Sequence, residues 1–219
     1  PHGSMTSYFG YDPDGLEHSV YDLFLHKGQV PQGLAAQLLL PTSHANIALL
    51  PATTALATLE RQAPGQSGLG LVIARSLAQV WQDYDYAIID SPPILGVLMV
   101  NALAASQQLV IPVQTEHLAL KGLERMVHTL SMINRSRPQE LPFCIVPTLF
   151  DRRTQASIST LRVLRDLYPD TLWQGFIPVD TRLRDASRAG QTPSQFDDKT
   201  RGVIAYRALL KHVLTRQLS

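Results

Sequence analysis

The chain has 219 residues, of which 45% are hydrophobic and 17% charged, with a net charge of +1. That is enough material for a sizeable core, and it excludes both a disordered chain and a globally basic nucleic-acid binder. The one cysteine, Cys144, excludes an internal disulfide and fits a reducing cytosol, and neither an apolar run of about 18 residues nor signal-peptide order is present. The expected location is cytoplasmic.

Taken in order, Pro1-His2-Gly3-Ser4-Met5 has the look of a cloning scar. Ser19 is placed to cap a helix through Tyr21, Leu23, Phe24 and Leu25. A short strand is expected over Asn46–Leu50, closed by Pro51, then a helix over 53–60, a loop over 63–68 and a helix over 71–81. Tyr86-Ala-Ile-Ile89 reads as the clearest strand, ending at Asp90 and stopped by Pro92 and Pro93. Apolar strands follow at 109–113, 143–146 and 172–177, alternating with helical stretches at 95–105, 117–134 and 155–167; helices near 181–189 and 199–217 end the chain.

Near-continuous apolar strands joined by helices predict an α/β fold, doubly wound, with a mostly parallel sheet covered on both faces, as a single domain over 1–219. In such sheets the chemistry lies beyond the C-terminal strand ends, which places Asp90, Gln114, Thr148 and Pro178 near one edge. Asp90 is the most informative residue. A carboxylate where a buried strand leaves its sheet has Walker B geometry, a fixed acid holding the water shell of Mg²⁺ beside a nucleotide phosphate. A helix cap, a turn former and the phospho-acceptor of a receiver domain are the competing explanations of the same residue.

The surrounding motifs separate these readings. Tyr86-Ala-Ile-Ile-Asp-Ser-Pro-Pro-Ile-Leu95, Asn101-Ala-Leu-Ala-Ala105 and Ile111-Pro-Val-Gln-Thr-Glu116 follow one another in order. The series resembles the central signature of the ParA/Soj/MinD-type P-loop ATPases. Downstream, Thr148-Leu-Phe-Asp-Arg-Arg-Thr154 is similar to that family's Thr-x-x-Asp-x-Arg-Thr, and Ile177-Pro-Val-Asp-Thr-Arg-Leu-Arg-Asp-Ala186 to its loop near the adenine. Val179 and Asp180 stand where that loop usually has Arg and Asn.

The resemblance implies ATP and Mg²⁺ as cofactors. Asp90 would organise the Mg²⁺ water, Pro92 and Pro93 would form a stiff switch turn beside the γ-phosphate, and Thr148, Asp151, Pro178 and Asp180 would lie around the base. It also implies a homodimer in the ATP state and a ParB-like or polar adaptor partner, with a location at the nucleoid or cell pole. Cargo would be chromosome or plasmid DNA, or a protein array such as chemoreceptor clusters, toward which Thr6–Asp12 and Val179-Asp180 lean. Arg165, Lys199 and Arg201, with Arg162, Arg207 and Lys211, are candidates for a basic surface holding nonspecific DNA. Lys121, Arg125 and His128 line one side of a helix that the resemblance puts near the dimer face, a solvated stripe being the plainer meaning. The amphipathic last helix raises a membrane anchor, but it runs straight on from Gly202 and is expected to pack instead.

Pro1–Ser7 also aligns with the family's Pro-Gln-Gly-Asn, which makes Gly3 and the residues after it native switch sequence. No Gly-x-x-x-x-Gly-Lys-Ser/Thr occurs in the 219 residues. The expectation is therefore an N-terminally truncated member, lacking the P-loop strand and helix, that binds ATP weakly and does not turn it over. The alternative is a non-catalytic interaction module that keeps partner-binding surfaces. Gly65–Gly70, with Leu69 where a dinucleotide loop needs glycine, and Asp12-Pro-Asp-Gly15, with no ligand ladder after it, are turns rather than sites. The histidines are scattered without metal spacing, and Cys144 sits inside an apolar strand as core.

Overall fold

The computed structural model describes residues 2–26, 28–62, 68–135 and 137–217. The chain divides into two compact units, Pro1–Ser106 and Gln107–Ser219. The predicted loop over 63–68 lies outside the described residues except for Gly68, as does Pro1.

The first unit carries helices α1 (Ser4–Tyr8), α2 (Val20–Phe24), α3 (Leu34–Gln37), α4 (Ala55–Gln62), α5 (Val72–Ala78) and α6 (Val97–Ala105). Its strands β1 (Leu40–Pro41) and β2 (Ala48–Leu49) pair antiparallel, Leu40 opposite Leu49. Ser19 caps α2 as its position predicts: its hydroxyl accepts from Tyr21 N at 3.1 Å while the Asp22 carboxylate accepts from Ser19 N at 2.7 Å, a reciprocal box that satisfies two otherwise orphaned donors. Leu23, Phe24, Leu38, Leu56, Leu59, Leu69 and Val72 form the core between these helices. Thr6 is buried, its hydroxyl bonding Ala52 O and accepting from Ala52 N, both at 2.9 Å, so this segment is an integral part of the fold rather than an appended tail.

The second unit is built on β3 (Leu109–Gln114) and β4 (Phe143–Thr148), paired in parallel from Leu109 opposite Phe143 to Gln114 opposite Thr148. Around them run α7 (His117–Asn134), α8 (Gln155–Leu167), α9 (Thr181–Arg188), α10 (Pro193–Phe196) and α11 (Arg201–Gln217). Cys144 and Val146 project to one face of β4, where Ala205 and Leu209 of α11 pack with Trp173 and Ile177. Ile145 points the other way and is equally buried, so β4 is covered on both sides, as parallel strands require. Cys144 is core, and α11 packs on the sheet through its apolar face. No described helix is long and apolar enough to cross a membrane.

Two predicted strands take another form. Leu172–Ile177 joins the sheet through single bridges, Ile145 with Leu172 and Phe150 with Pro178, because its backbone departs from the ladder between them. Tyr86–Ile89 is irregular, and Tyr86–Ile88 is exposed, Ile88 at 88%, with Ile89 half-buried. Among the described residues no strand hydrogen-bonds to it, and an isolated apolar run has nothing to hold a β conformation. Apolar content alone does not make a strand.

Asn101 is the polar centre of the first unit. Fully buried, it donates to Leu69 O at 2.6 Å and Val97 O at 2.8 Å and accepts from Ile73 N at 3.1 Å, tying α5 and α6 to the turn between Leu69 and Leu71. Asn101→Leu leaves the Leu69 carbonyl and Ile73 N–H without this partner and is expected to cost roughly 2–4 kcal/mol, read as a lowered urea midpoint. An unchanged midpoint would show that the cluster closes up without it.

Candidate functional site

In the first unit the candidate site is the segment that runs from Asp90 into α6. The Asp90 residue is exposed and makes no hydrogen bond or ion pair among the described residues. Pro92 is half-buried and Pro93 exposed, and Ile94 and Leu95 stand in solvent at 71% and 55%. The segment is anchored only at its far end. Gly96 N donates to Ile94 O at 2.8 Å, and the Glu60 carboxylate of α4 caps α6 by accepting from Leu98 N at 2.9 Å. A Cβ on Gly96 would fall 1.8 Å from Glu60 Oε2, so glycine is what admits the capping carboxylate. Sequence reasoning missed Glu60, since its role depends on α4 and α6 meeting.

In the second unit Thr148, Asp151, Pro178 and Asp180 lie where the strands leave the sheet. Leu149, directly after β4, has φ 50°, and among the described residues it is the one non-glycine with positive φ, a conformation costing about 1–2 kcal/mol. Phe150 N then donates to Ile177 O and Val179 N to Phe150 O, both at 3.0 Å, which seats Pro178 beside Phe150. Buried beneath, Thr115 Oγ1 lies 3.1 Å from Ser157 Oγ and 3.4 Å from the carbonyl oxygens of Thr148 and Leu149. Thr115 lies within the Ile111–Glu116 motif, but neither its role nor that of Ser157, in the first turn of α8, was read from the sequence.

The two acids among these candidates, Asp151 and Asp180, are already engaged. Arg153 meets Asp151 in a fork, Nε to Oδ1 at 2.9 Å and Nη2 to Oδ2 at 2.7 Å. The guanidinium, with the Arg153 backbone N–H, holds the Asp151 carboxyl down at about 2 from 3.8. Asp180 accepts from Arg182 N at 3.0 Å and from Gly202 N at 2.8 Å, capping α9 and bonding the first turn of α11 with one carboxylate. Gly202 allows that approach, since a Cβ there would lie 2.9 Å from Leu183 Cδ1. Much of the backbone there is bonded as well, Thr148 O accepting from Thr115 N and Asp151 O from Thr154 N, both at 3.1 Å.

The basic candidates have different partners. Arg165 donates to Gln174 O at 3.2 Å. Lys199 is exposed, and its backbone N–H, with the Arg182 guanidinium, holds the Asp197 carboxyl below the usual carboxylate range. Arg201 is exposed at the start of α11, close enough to Asp151 to favour its charged form. Arg207 pairs with Asp198 at 3.6 Å. Lys121, of the stripe on α7, pairs with Glu124 at 3.0 Å.

For a magnesium nucleotide the fit is partial. No group of three or more metal-ligating side chains stands together among the described residues. Asp90 suits a metal that arrives with its own phosphate and water ligands, because its carboxylate is exposed and unpaired. A phosphate-cradling loop sequence is not within the 219 residues.

The AAA domain family model matches residues 1–143, and the sporulation initiation inhibitor protein Soj of Bacillus subtilis (strain 168) is 33% identical over 214 residues, 97% of this chain and 83% of that protein. This chain belongs to the ParA/Soj/MinD-type P-loop ATPase family. The chromosome partitioning protein ParA of Myxococcus xanthus is 29% identical over 99% of this chain and 75% of its own length. Cobyrinic acid a,c-diamide synthase of Mycobacterium smegmatis, solved with a bound ATP analog and magnesium, superposes with a TM-score of 0.81 at 31% identity, covering all of this chain and 80% of that one. The α/β class read from the strand pattern is thus the family's fold.

The Asp151–Arg153 fork makes a pH dependence measurable. With the folded value depressed, the contribution of the pair is complete above about pH 4 and is lost as pH falls through about 2. Arg153→Ala is expected to return the Asp151 titration toward 3.8, followed by carboxyl-carbon NMR. An unshifted titration in that variant would exclude Arg153 as the cause.

Proposed function

We propose that this protein acts as an ATP-dependent dimerisation switch that segregates or positions chromosome or plasmid DNA, or a polar protein cargo such as a chemoreceptor array. The observation that carries the reading is Asp90, an exposed carboxylate without a partner among the described residues, two residues ahead of a paired proline turn, in a chain of this ATPase family. The names of the relatives support the cargo class, sporulation control for Soj and chromosome partitioning for ParA. The ATP analog and magnesium bound by the solved relative support the cofactors.

In this reading Asp90 holds the Mg²⁺ water shell, and Pro92 and Pro93, which donate no backbone N–H and have fixed φ, give a stiff segment whose position depends on what Asp90 faces. Thr148, Asp151, Pro178 and Asp180 border the base chiefly through backbone groups, since both carboxylates already have partners. Bound ATP would supply the γ-phosphate whose loss resets the switch. Arg165, Lys199 and Arg201, all exposed, are the residues proposed to meet nonspecific DNA. A homodimer in the ATP state and a ParB-like or polar adaptor complete the cycle.

The 219-residue chain alone is expected to release no phosphate from ATP above a buffer control. Joined in frame to an upstream segment carrying Gly-Lys-Gly-Gly-Val-Gly-Lys-Thr, it is expected to hydrolyse ATP, and Asp90→Asn in that protein should lower the rate by at least about a hundredfold with folding unchanged by circular dichroism. Turnover by the chain alone, or an Asp90→Asn protein as fast as its parent, would overturn the assignment. A joined protein that folds but never turns over would favour the non-catalytic interaction module.

A further inference from the structure

A leucine held at positive φ needs a restraint, because the branched side chain would otherwise return the backbone to an ordinary region. Leu149 is 45% exposed, so its own side chain supplies little of that restraint. What surrounds its backbone does. Thr115 N donates to Thr148 O at 3.1 Å, one step beyond the last paired residues of β3 and β4. Thr115 Oγ1 then reaches the carbonyl oxygens of Thr148 and Leu149 at 3.4 Å and Ser157 Oγ at 3.1 Å, and Ser157 Oγ accepts from Asp151 N at 3.4 Å. Two buried hydroxyls therefore span both ends of the Thr148–Asp151 turn. Ser157 is fixed in turn because its own N–H donates to the capping hydroxyl of Thr154 at 3.3 Å.

We propose that Thr115 and Ser157 are positioning residues for the base-facing loop: their hydroxyl pair holds Leu149 left-handed and so sets which backbone groups of Thr148–Asp151 face a nucleobase. The inference rests on the reading of this loop given under Proposed function. A hydroxyl pair suits the task, since each oxygen donates one hydrogen and can accept as well: Ser157 Oγ accepts from Asp151 N, and the single Thr115 hydroxyl hydrogen is shared among the acceptors around it. Valine in place of Thr115 keeps the shape but cannot hold those carbonyls.

The test titrates the 219-residue chain with adenosine, which has no phosphates and so reports the base loop alone, and follows backbone amide shifts by NMR. The amides of 148–151, 179 and 180 are expected to move. Thr115→Val should raise the adenosine dissociation constant about tenfold, and Thr115→Ser should not. Glycine takes positive φ without a restraint, so in a Leu149→Gly background Thr115→Val should have an effect of less than about threefold, the coupling that a double-mutant cycle isolates. Equal losses in both backgrounds, or no loss at all, would overturn the inference and show the hydroxyls to be ordinary core. Ser157→Ala replaces Thr115→Val should the latter not fold. The three-bond amide coupling of Leu149 reads φ without ligand and is expected to change in Thr115→Val. If adenosine moves none of these amides in the unaltered chain, the base-loop reading itself is wrong, and the Leu149 coupling still decides whether the hydroxyls hold the turn.

Discussion

Six parallel backbone pairs between β3 and β4 hold the candidate base loop of the second unit in place. Gln114 lies opposite Thr148, so the turn after β4 starts level with the end of β3, and Thr115 continues the pairing by one hydrogen bond. A slip of one residue would exchange Cys144 and Val146 with Ile145 and Pro147 between the two buried faces of β4 and so misfit the packing against Trp173, Ile177 and α11. The register is therefore set by burial, and the turn inherits its position from the core. That is how a loop can present a defined edge.

The acids of this unit show how a side chain at a site can be structural. Asp180 bonds backbone N–H groups in the first turns of two helices and Asp151 closes a fork with Arg153, so neither carboxylate is left to choose a ligand. Charge at the strand ends holds helices at fixed positions, and recognition is left to groups whose geometry the backbone sets. Asp90 is the opposite case, an exposed carboxylate without a hydrogen-bond or ion-pair partner among the described residues. An unpaired acid costs little where water solvates it and is available to an incoming cation.

Helices were the most legible part of the sequence. Residues 117–134 and 155–167 match α7 and α8 end to end, because amphipathic spacing and the Thr154 cap are local signals. β3 and β4 were legible too, since their apolar runs are bounded by polar residues. Tyr86–Ile89 gave an equally good strand pattern and remains irregular, because a strand needs a neighbour and no pattern within one segment shows whether it has one. Of the candidate site, motif residues such as Asp90, Pro92, Pro93, Thr148 and Asp151 stand out in sequence. Glu60, Thr115 and Ser157 do not, since each acts through a residue more than 30 positions away.

By itself the sequence determined the class of fold, the longer helices, the strands β3 and β4, and the family, for these depend on local periodicity and on residue types at fixed spacings. Only the tertiary structure decided which polar groups are engaged and which are free: Asp180 bonded to Gly202, Asn101 tied to Leu69 and Ile73, Leu149 turned left-handed above two buried hydroxyls. The reason is physical. A hydrogen bond between distant residues is worth little until packing has excluded water and brought both partners within about 3 Å, and no property of either residue alone records that meeting.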